Sequence, residues 1–274
     1  MTVINTNLNS LITQAALSKN NRSLGQSMEQ LATGKRINSA ADDAAGLAIS
    51  NRQTSQIRGL NQAVRNANDA ISMLQTAEGA TNEVTNMLQR MRELAVQSTN
   101  GTYAASDRTA LQSEFAELQA EITRISNNTE WNASKIVDGT MTAVTFQVGA
   151  NASQVITVTF KDIEGMTGMT AAMLSAAIGT VSEANTSITS IDTAMAAIDS
   201  FRSDMGAKIN RFQHAGDNLT NVSTNTSAAR SRILDADYAK TASEMARTQI
   251  IQQAATAVLA QANTSQQSVL KLLQ

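Results

Sequence analysis

Apolar residues recur along this chain in steps of three and four, the spacing of a narrow helical seam. From Ile57 they fall at Leu60, Val64, Ala67, Ile71 and Leu74; the phase slips near Glu78, and the stripe resumes at Val84, Met87, Met91 and Leu94. Such a slip reads as a stutter in a heptad pattern. The spacing predicts one helix from about Asp43 to about Gln97, a rod on the order of 80 Å at about 1.5 Å per residue. Asn100-Gly101-Thr102 ends it, with Gly101 suited to a left-handed terminal residue. A second stripe runs Leu111, Phe115, Leu118, Ile122 and Ile125, with Ser106 or Asp107 to cap its start. A third runs Ala184, Ile188, Ile191, Met195, Ile198, Met205, Ile209, Phe212 and Leu219, interrupted by Arg202 and Gly216. A fourth runs Ile251, Ala255, Val258, Ala262, Ser265, Val269 and Leu272. The start of the chain offers Ile4, Leu8, Leu11 and Ala15, then Leu24, Met28 and Leu31 in shifted phase.

One region departs from the helical period. Val144, Phe146 and Val148 alternate with polar residues, as do Ile156, Val158 and Phe160, around a loop of Gly149-Ala150-Asn151-Ala152-Ser153. Two period-2 runs about such a loop predict a β-hairpin, placed at about 141–161. Gly165 and Gly168 lead out of it. The predicted fold is therefore mainly α: a long helical rod or coiled-coil bundle with a small β-hairpin.

Composition narrows the class. The 274 residues include no proline and no cysteine, and only 13 glycines. Average usage would supply roughly 14 prolines. Few loop punctuators argue against a sandwich, a barrel or a many-looped α/β enzyme. Without cysteine there is no disulfide framework, thiolate metal site or cysteine nucleophile. A single histidine, His214, excludes His-rich zinc sites. The net charge of −2 gives nucleic acid or a membrane surface no electrostatic hold. No apolar run approaches the ~20 residues of a membrane span. The first residues lack a basic region and a cleavage site, so no standard secretory signal is expected.

Charge is unevenly placed. Residues 1–18 contain no Asp, Glu, Lys or Arg, and neither do residues 248–270. Exposed helices ordinarily carry charge on their outer faces. Uncharged polar faces suit a place where like copies press together and charge burial would be costly. Two poorly ordered tails would give the same pattern.

Chemical motifs do not assemble. Gly34-Lys35 is followed by Arg36 where a phosphate loop needs Ser or Thr. The pairs Asp42-Asp43 and Asp235/Asp237 have no neighbouring histidine and sit near predicted helix starts, where the dipole favours acids. Met73, Met87, Met91 and Met195 read as gap fillers in the seams. Asn-x-Ser/Thr triplets such as Asn132-Ala133-Ser134 arise by chance in a chain so rich in these residues. No nucleophile, base and oxyanion site converge, so neither an enzyme activity nor a cofactor or metal is expected.

Several long motifs, in order, nevertheless carry a resemblance. Residues 31–49, with Thr33-Gly34-Lys35-Arg36-Ile37-Asn38-Ser39-Ala40-Ala41-Asp42-Asp43 at their centre, closely resemble the N-terminal signature of bacterial flagellin. Gln89-Arg90-Met91-Arg92-Glu93-Leu94-Ala95-Val96 resembles its helix motif, and Gln147-Val148-Gly149-Ala150-Asn151 its hairpin turn. Residues 268–274 are similar to its C-terminus. About 55 residues separate Trp131 from the helix near Ala184, room for the hairpin and a connector only. A short form without variable outer domains is expected.

The resemblance implies a structural subunit that polymerises into the hollow, helical flagellar filament used for swimming. It implies that residues 1–43 and 234–274 pair as an inner coiled coil, with 44–233 as the surrounding rod. The pairing seam would comprise Ile4, Leu8, Leu11, Leu24, Leu31, Ile251 and Val258. It implies an extracellular location, reached through the flagellar type III path without a cleaved signal. Partners would be other copies of the chain, an export chaperone, the filament cap, hook-junction proteins and animal innate receptors, with no nucleic acid and no membrane insertion. A face of Gln89, Arg90, Leu94, Gln97 and Glu114 would serve subunit contact and receptor recognition. Val269, Leu270, Leu272 and Leu273 would pack the inner core and match the segment read by inflammasome-type receptors. A hook-filament junction protein or a type III translocator-like coiled-coil protein is the alternative reading.

Overall fold

The computed structural model describes residues 6–169 and 176–271, of which 266–271 by their backbone alone. Helix α1 spans Leu8–Thr33, α2 Ala44–Ser98 and α3 Ala105–Asn128. Two antiparallel strand pairs follow: β1 (Glu130–Trp131) with β2 (Ser134–Lys135), and β3 (Ala143–Gln147) with β4 (Val155–Thr159). Helices α4 (Val181–Leu234) and α5 (Tyr238–Lys271) complete the chain. It divides into two compact units: residues 56–223, and residues 1–55 with 224–274.

The unit of residues 56–223 is built on a heptad that never slips. Along α2, Leu60, Ala63, Ala67, Ala70, Leu74, Ala77, Thr81, Val84, Leu88, Met91, Ala95 and Ser98 are all buried, at alternating steps of three and four. The stutter expected near Glu78 is absent because Ala77 and Thr81, a small and a polar residue, carry the seam through. The Thr81 hydroxyl donates to the carbonyls of Ala77 and Glu78, at 3.1 and 2.9 Å. It is satisfied within its own turn, so its burial costs little. From α4, Ala184, Ile191, Ala194, Ile198, Phe201, Met205 and Phe212 join the core, and from α3, Phe115 and Ile122. Helices α2 and α4 run antiparallel here. Arg92 Nε meets Asp192 Oδ1 at 2.7 Å, and Ser223 donates to Asn61 Oδ1 at 2.9 Å.

The ends of α2 and α3 differ from expectation in detail. Gly101 does not adopt positive φ. The α2 terminus is held instead by the Arg108 guanidinium, which donates to the Ser98 and Asn100 carbonyls at 2.9 Å each. Ala104 occupies the α3 cap position, and Asp107 Oδ2 accepts its backbone N–H at 3.0 Å. The acid therefore serves the cap from inside the first turn.

The hairpin pairs Ala143 with Thr159 through Gln147 with Val155. It docks through its tip and one face. Asn66 Nδ2 donates to the Gln147 carbonyl at 3.0 Å, and Lys208 Nζ to that of Thr157 at 3.0 Å. The Phe146 and Phe212 rings meet edge to face, 5.6 Å apart, a favoured aromatic geometry. A side chain at Gly59 would stand 3.1 Å from the Ala150 Cβ, so this glycine admits the hairpin tip. The β1–β2 turn places Asn132 and Ala133 at positive φ, the pattern of a type I′ turn. The segment after β4 returns to the core through Ile163, Met166 and Met169. Gly168 has φ +88°, and a Cβ there would lie 2.5 Å from the Ala194 backbone nitrogen. Only glycine satisfies both conditions.

In the other unit, α1 and α5 pack antiparallel along a seam of small polar residues. Ser27, Thr241 and Thr248 are buried there. Asn20 donates to the Thr248 carbonyl at 2.8 Å, Asn7 to that of Ala262 at 3.1 Å, and Gln252 to Asn21 Oδ1 at 3.0 Å. The seam predicted from large apolar positions is corrected here. Leu8, Leu11, Ile251 and Val258 are exposed, one position out of phase with the residues that face the partner helix. Leu24 and Leu31 are half-buried. Ile4 lies outside the described residues.

Candidate functional site

Three surfaces bear on function. The first joins α1 to α2 and α4 to α5. Gly34 takes φ +68° at the end of α1, and the chain then runs alongside residues 233–236. Arg36 N–H donates to the Leu234 carbonyl at 2.7 Å, its guanidinium to that of Ile233, and Ala236 N–H to that of Gly34 at 3.0 Å. The Tyr238 hydroxyl reaches the Leu31 carbonyl at 3.3 Å. Asp42 Oδ2 gathers the backbone N–H groups of Ser39 and Asn38 at 2.8 and 3.0 Å. These donors hold its carboxyl below the usual carboxylate range, Ser39 contributing most. Asp43 caps the start of α2 by accepting from Gly46 N–H at 2.8 Å. A side chain at Gly46 would strike Asp43 and Ile37. Asp237 caps α5 in the same way, through Ala239 and Lys240. The paired carboxylates thus hold turns and helix starts.

The second surface is on α2 and its neighbours. Gln89, Arg90, Gln97 and Glu114 are exposed. Arg90 joins two helices, with Nε 2.8 Å from Glu114 and Nη1 2.9 Å from Glu93. Gln97 Nε2 donates to the Tyr103 hydroxyl at 2.9 Å. A shallow groove beside them is lined by Gln89, Arg92, Glu93, Val96, Gln97 and Met195. Leu94 is the exception among the predicted face. It is 1% exposed and packs in the core, so it supports this surface from beneath and offers no atom to a partner. Sequence reasoning missed Val96, Met195 and the Arg92–Asp192 pair. Val96 is exposed on a helix that is otherwise polar on this side, a signal available in the sequence.

The third surface is the outside of the α1–α5 pair. Leu8, Leu11, Ile12 and Met28 on α1 and Ile250, Ile251 and Val258 on α5 are all exposed, Ile250 at 67%. Among the described residues of this unit, Ile37 is the one buried apolar side chain. The backbone of Val269 and Leu270 continues α5; their side chains, and Leu272 and Leu273, lie outside the described residues. Among the described residues no helix is long and apolar enough to cross a membrane, and no cluster of three or more His, Asp or Glu could hold a metal.

Comparison with known proteins gives these surfaces a context. Residues 4–142 match the bacterial flagellin N-terminal helical region, and residues 188–273 match its C-terminal helical region. A flagellin of Halalkalibacterium halodurans is 45% identical over 271 residues, covering 99% of both chains. A flagellin of Treponema pallidum is 38% identical over 286 aligned positions, again covering 99% of both. The crystal structure of Bacillus cereus flagellin superposes with a TM-score of 0.52 at 33% identity, covering 61% of this chain and 94% of that one. A putative flagellar hook-associated protein from Vibrio parahaemolyticus shares the fold, with a TM-score of 0.62 at 15% identity. Two family regions in order and full-length relatives on both sides leave one conclusion: the chain belongs to the bacterial flagellin family, structural proteins and not enzymes, which polymerise into the extracellular flagellar filament.

Proposed function

We propose that residues 1–43 and 234–274 form the assembly element of this subunit, and that their folding is completed by neighbouring copies. One observation carries the reading. Among its described residues the α1–α5 unit buries a single apolar side chain, Ile37, while Leu8, Leu11, Ile12, Met28, Ile250, Ile251 and Val258 stand exposed on the two helices. A helix pair with so little apolar burial is marginal in water. Copies that cover the exposed side chains supply the missing stabilisation, at about 25 cal/mol per Å². The contact is heterologous, so copies propagate as a helix instead of closing a ring.

Gln89, Arg90, Gln97 and Glu114 belong on this reading to a lateral contact face that animal flagellin receptors also read. Val269, Leu270, Leu272 and Leu273 pack the innermost layer, which inflammasome-type receptors meet as a peptide. The subunit leaves the cell through the flagellar type III path, with an export chaperone, and is placed beneath the cap above the hook-junction proteins.

Amide exchange tests the coupled folding directly. Residues 8–33 and 238–265 are expected to exchange rapidly in the monomer and slowly in the filament. Strong protection in the monomer would overturn the proposal. So would elongation of filament seeds by a chain lacking residues 245–274.

A further inference from the structure

The sequence contains one Asn-Gly pair, Asn100-Gly101, and the structure leaves it open to attack on itself. Both residues are exposed in the turn between α2 and α3. The Asn100 side-chain oxygen accepts the Thr102 backbone N–H at 3.1 Å. That bond folds the side chain back over the main chain and polarises its carbonyl carbon. The Gly101 N–H between them donates to no acceptor among the described residues. Nothing lies within 4 Å of the place where a Gly101 Cβ would stand, so a ring can close there without collision.

We propose that Asn100 is a spontaneous modification site, converted to aspartate and isoaspartate through a cyclic imide. The Gly101 nitrogen attacks Asn100 Cγ, forming a C–N bond. The Cγ–Nδ2 bond breaks, and the side-chain nitrogen leaves as ammonia, carrying the proton that Gly101 gives up. Water then opens the imide at either carbonyl. One opening gives aspartate; the other gives isoaspartate, with the main chain rerouted through the side chain.

The rest of the molecule explains why this position is singled out. Asn38 precedes Ser39, whose N–H is committed to Asp42 Oδ2 at 2.8 Å. Asn20, Asn61, Asn66 and Asn86 precede nitrogens held in the helix ladder, and the N–H after Asn9 donates to the Asn7 side chain. Asn132 and Asn151 are also exposed in turns, but each precedes an alanine, whose Cβ hinders ring closure where Gly101 has none. At Asp138-Gly139 the carboxyl is held by the Thr140 hydroxyl and N–H and stays ionised, below the usual range, which makes it a poor electrophile. The new charge at residue 100 has consequences. It falls just past the C-terminus of α2, where the helix dipole opposes an anion, and the Arg108 guanidinium already bonds the residue's carbonyl at 2.9 Å. An isoaspartate also lengthens the turn that carries the Gln97–Tyr103 hydrogen bond.

The test is peptide mapping by mass spectrometry after the full-length chain is held at mildly alkaline pH. Isoaspartate is detected separately with an isoaspartyl methyltransferase. Asn100 is expected to convert before any other asparagine, yielding both products. Gly101→Ala, which the open site accommodates, is expected to slow it on the order of tenfold. Conversion at any other asparagine ahead of Asn100 would overturn the proposal, as would an unchanged rate in Gly101→Ala.

Discussion

Ile250 allows folding of the subunit to be separated from its assembly. It lies on the outer face of α5 and is 67% exposed. Glutamine there keeps similar length and good helix propensity, at a position that faces mostly solvent in the lone chain. The monomer's unfolding free energy is therefore expected to move by no more than about 0.5 kcal/mol. Covering an isoleucine completely is worth about 1.5–3 kcal/mol. Two-thirds of its surface is still uncovered in the lone chain, so a neighbour that seals it gains about 1–2 kcal/mol. Losing that gain raises the critical concentration for growth on seeds by roughly 5- to 30-fold. The assay is sedimentation of seeded filaments across a concentration series, beside denaturant unfolding of the monomer. An unchanged critical concentration for Ile250→Gln would refute the claim that neighbours cover this face. An equal fall in monomer stability would refute the claim that the lone chain leaves it uncovered.

Other expectations follow from the same geometry. Gly168→Ala combines a positive φ with a Cβ against the α4 backbone; left-handed strain of about 1–2 kcal/mol and overpacking of about 1–3 kcal/mol sum to about 2–5 kcal/mol in a denaturant melt. Leu94→Ala should cost about 2–5 kcal/mol as a core truncation, whereas Gln89→Ala should stay within about 0.5 kcal/mol; equal melts would contradict the burial of Leu94. Asp42 is held below the ordinary carboxylate range by the N–H groups of Ser39 and Asn38. Its contribution is fully present above about pH 4 and is lost as pH falls through the lower folded-state value. An acid titration of the Ser39 amide resonance should therefore show a midpoint below that of a free carboxylate, and Asp42→Asn should abolish it.

How much of this was legible depended on residue size. The bounds of α2 were readable to within one residue at each end, from Asp43 and Gln97, because an acidic cap and a turn sequence frame one apolar stripe. Strands β3 and β4 were readable to the same precision, since period-2 alternation around Gly149 has no helical competitor. The seams themselves were misread. Reading by large apolar side chains put a stutter at Glu78, where Ala77 and Thr81 continue the heptad. It put Leu8, Leu11, Ile251 and Val258 between α1 and α5, where Asn20, Ser27, Thr248 and Gln252 make the contact. A hydropathy pattern weighs alanine lightly and threonine as polar, so it cannot see a seam built from them. The β1–β2 pair was missed because strands of two residues have no period; only Asn132 marked the turn. The signature around residues 33–46 was recognisable, but its work became visible only with Arg36, Asp42, Asp43 and Gly46 in place.

The two units solve opposite problems with one helical period. Residues 56–223 spend their large side chains inward: Leu74, Leu88, Met91, Phe115, Phe201 and Phe212 are buried. A core of that kind does not need a neighbour. The α1–α5 unit places Ser27, Thr241 and Thr248 inward and Leu8, Leu11, Ile12, Ile250 and Ile251 outward. Side-chain hydrogen bonds, from Asn20 and Asn7 to main-chain carbonyls and from Gln252 to the Asn21 side chain, set the register of its pair, because a one-step slide would break all three together. Their net worth is small, about 1 kcal/mol each, so they specify the pairing without locking it. The outward residues then stabilise only what lies outside the chain. A stronger apolar seam between α1 and α5 would make the lone subunit rigid and leave less to be gained from assembly. The absence of proline fits the same requirement. A chain that completes its folding against neighbours avoids the tens to hundreds of seconds each slow X-Pro isomerisation would add, and a proline in the loop near Thr140 should slow seeded growth without bending a helix.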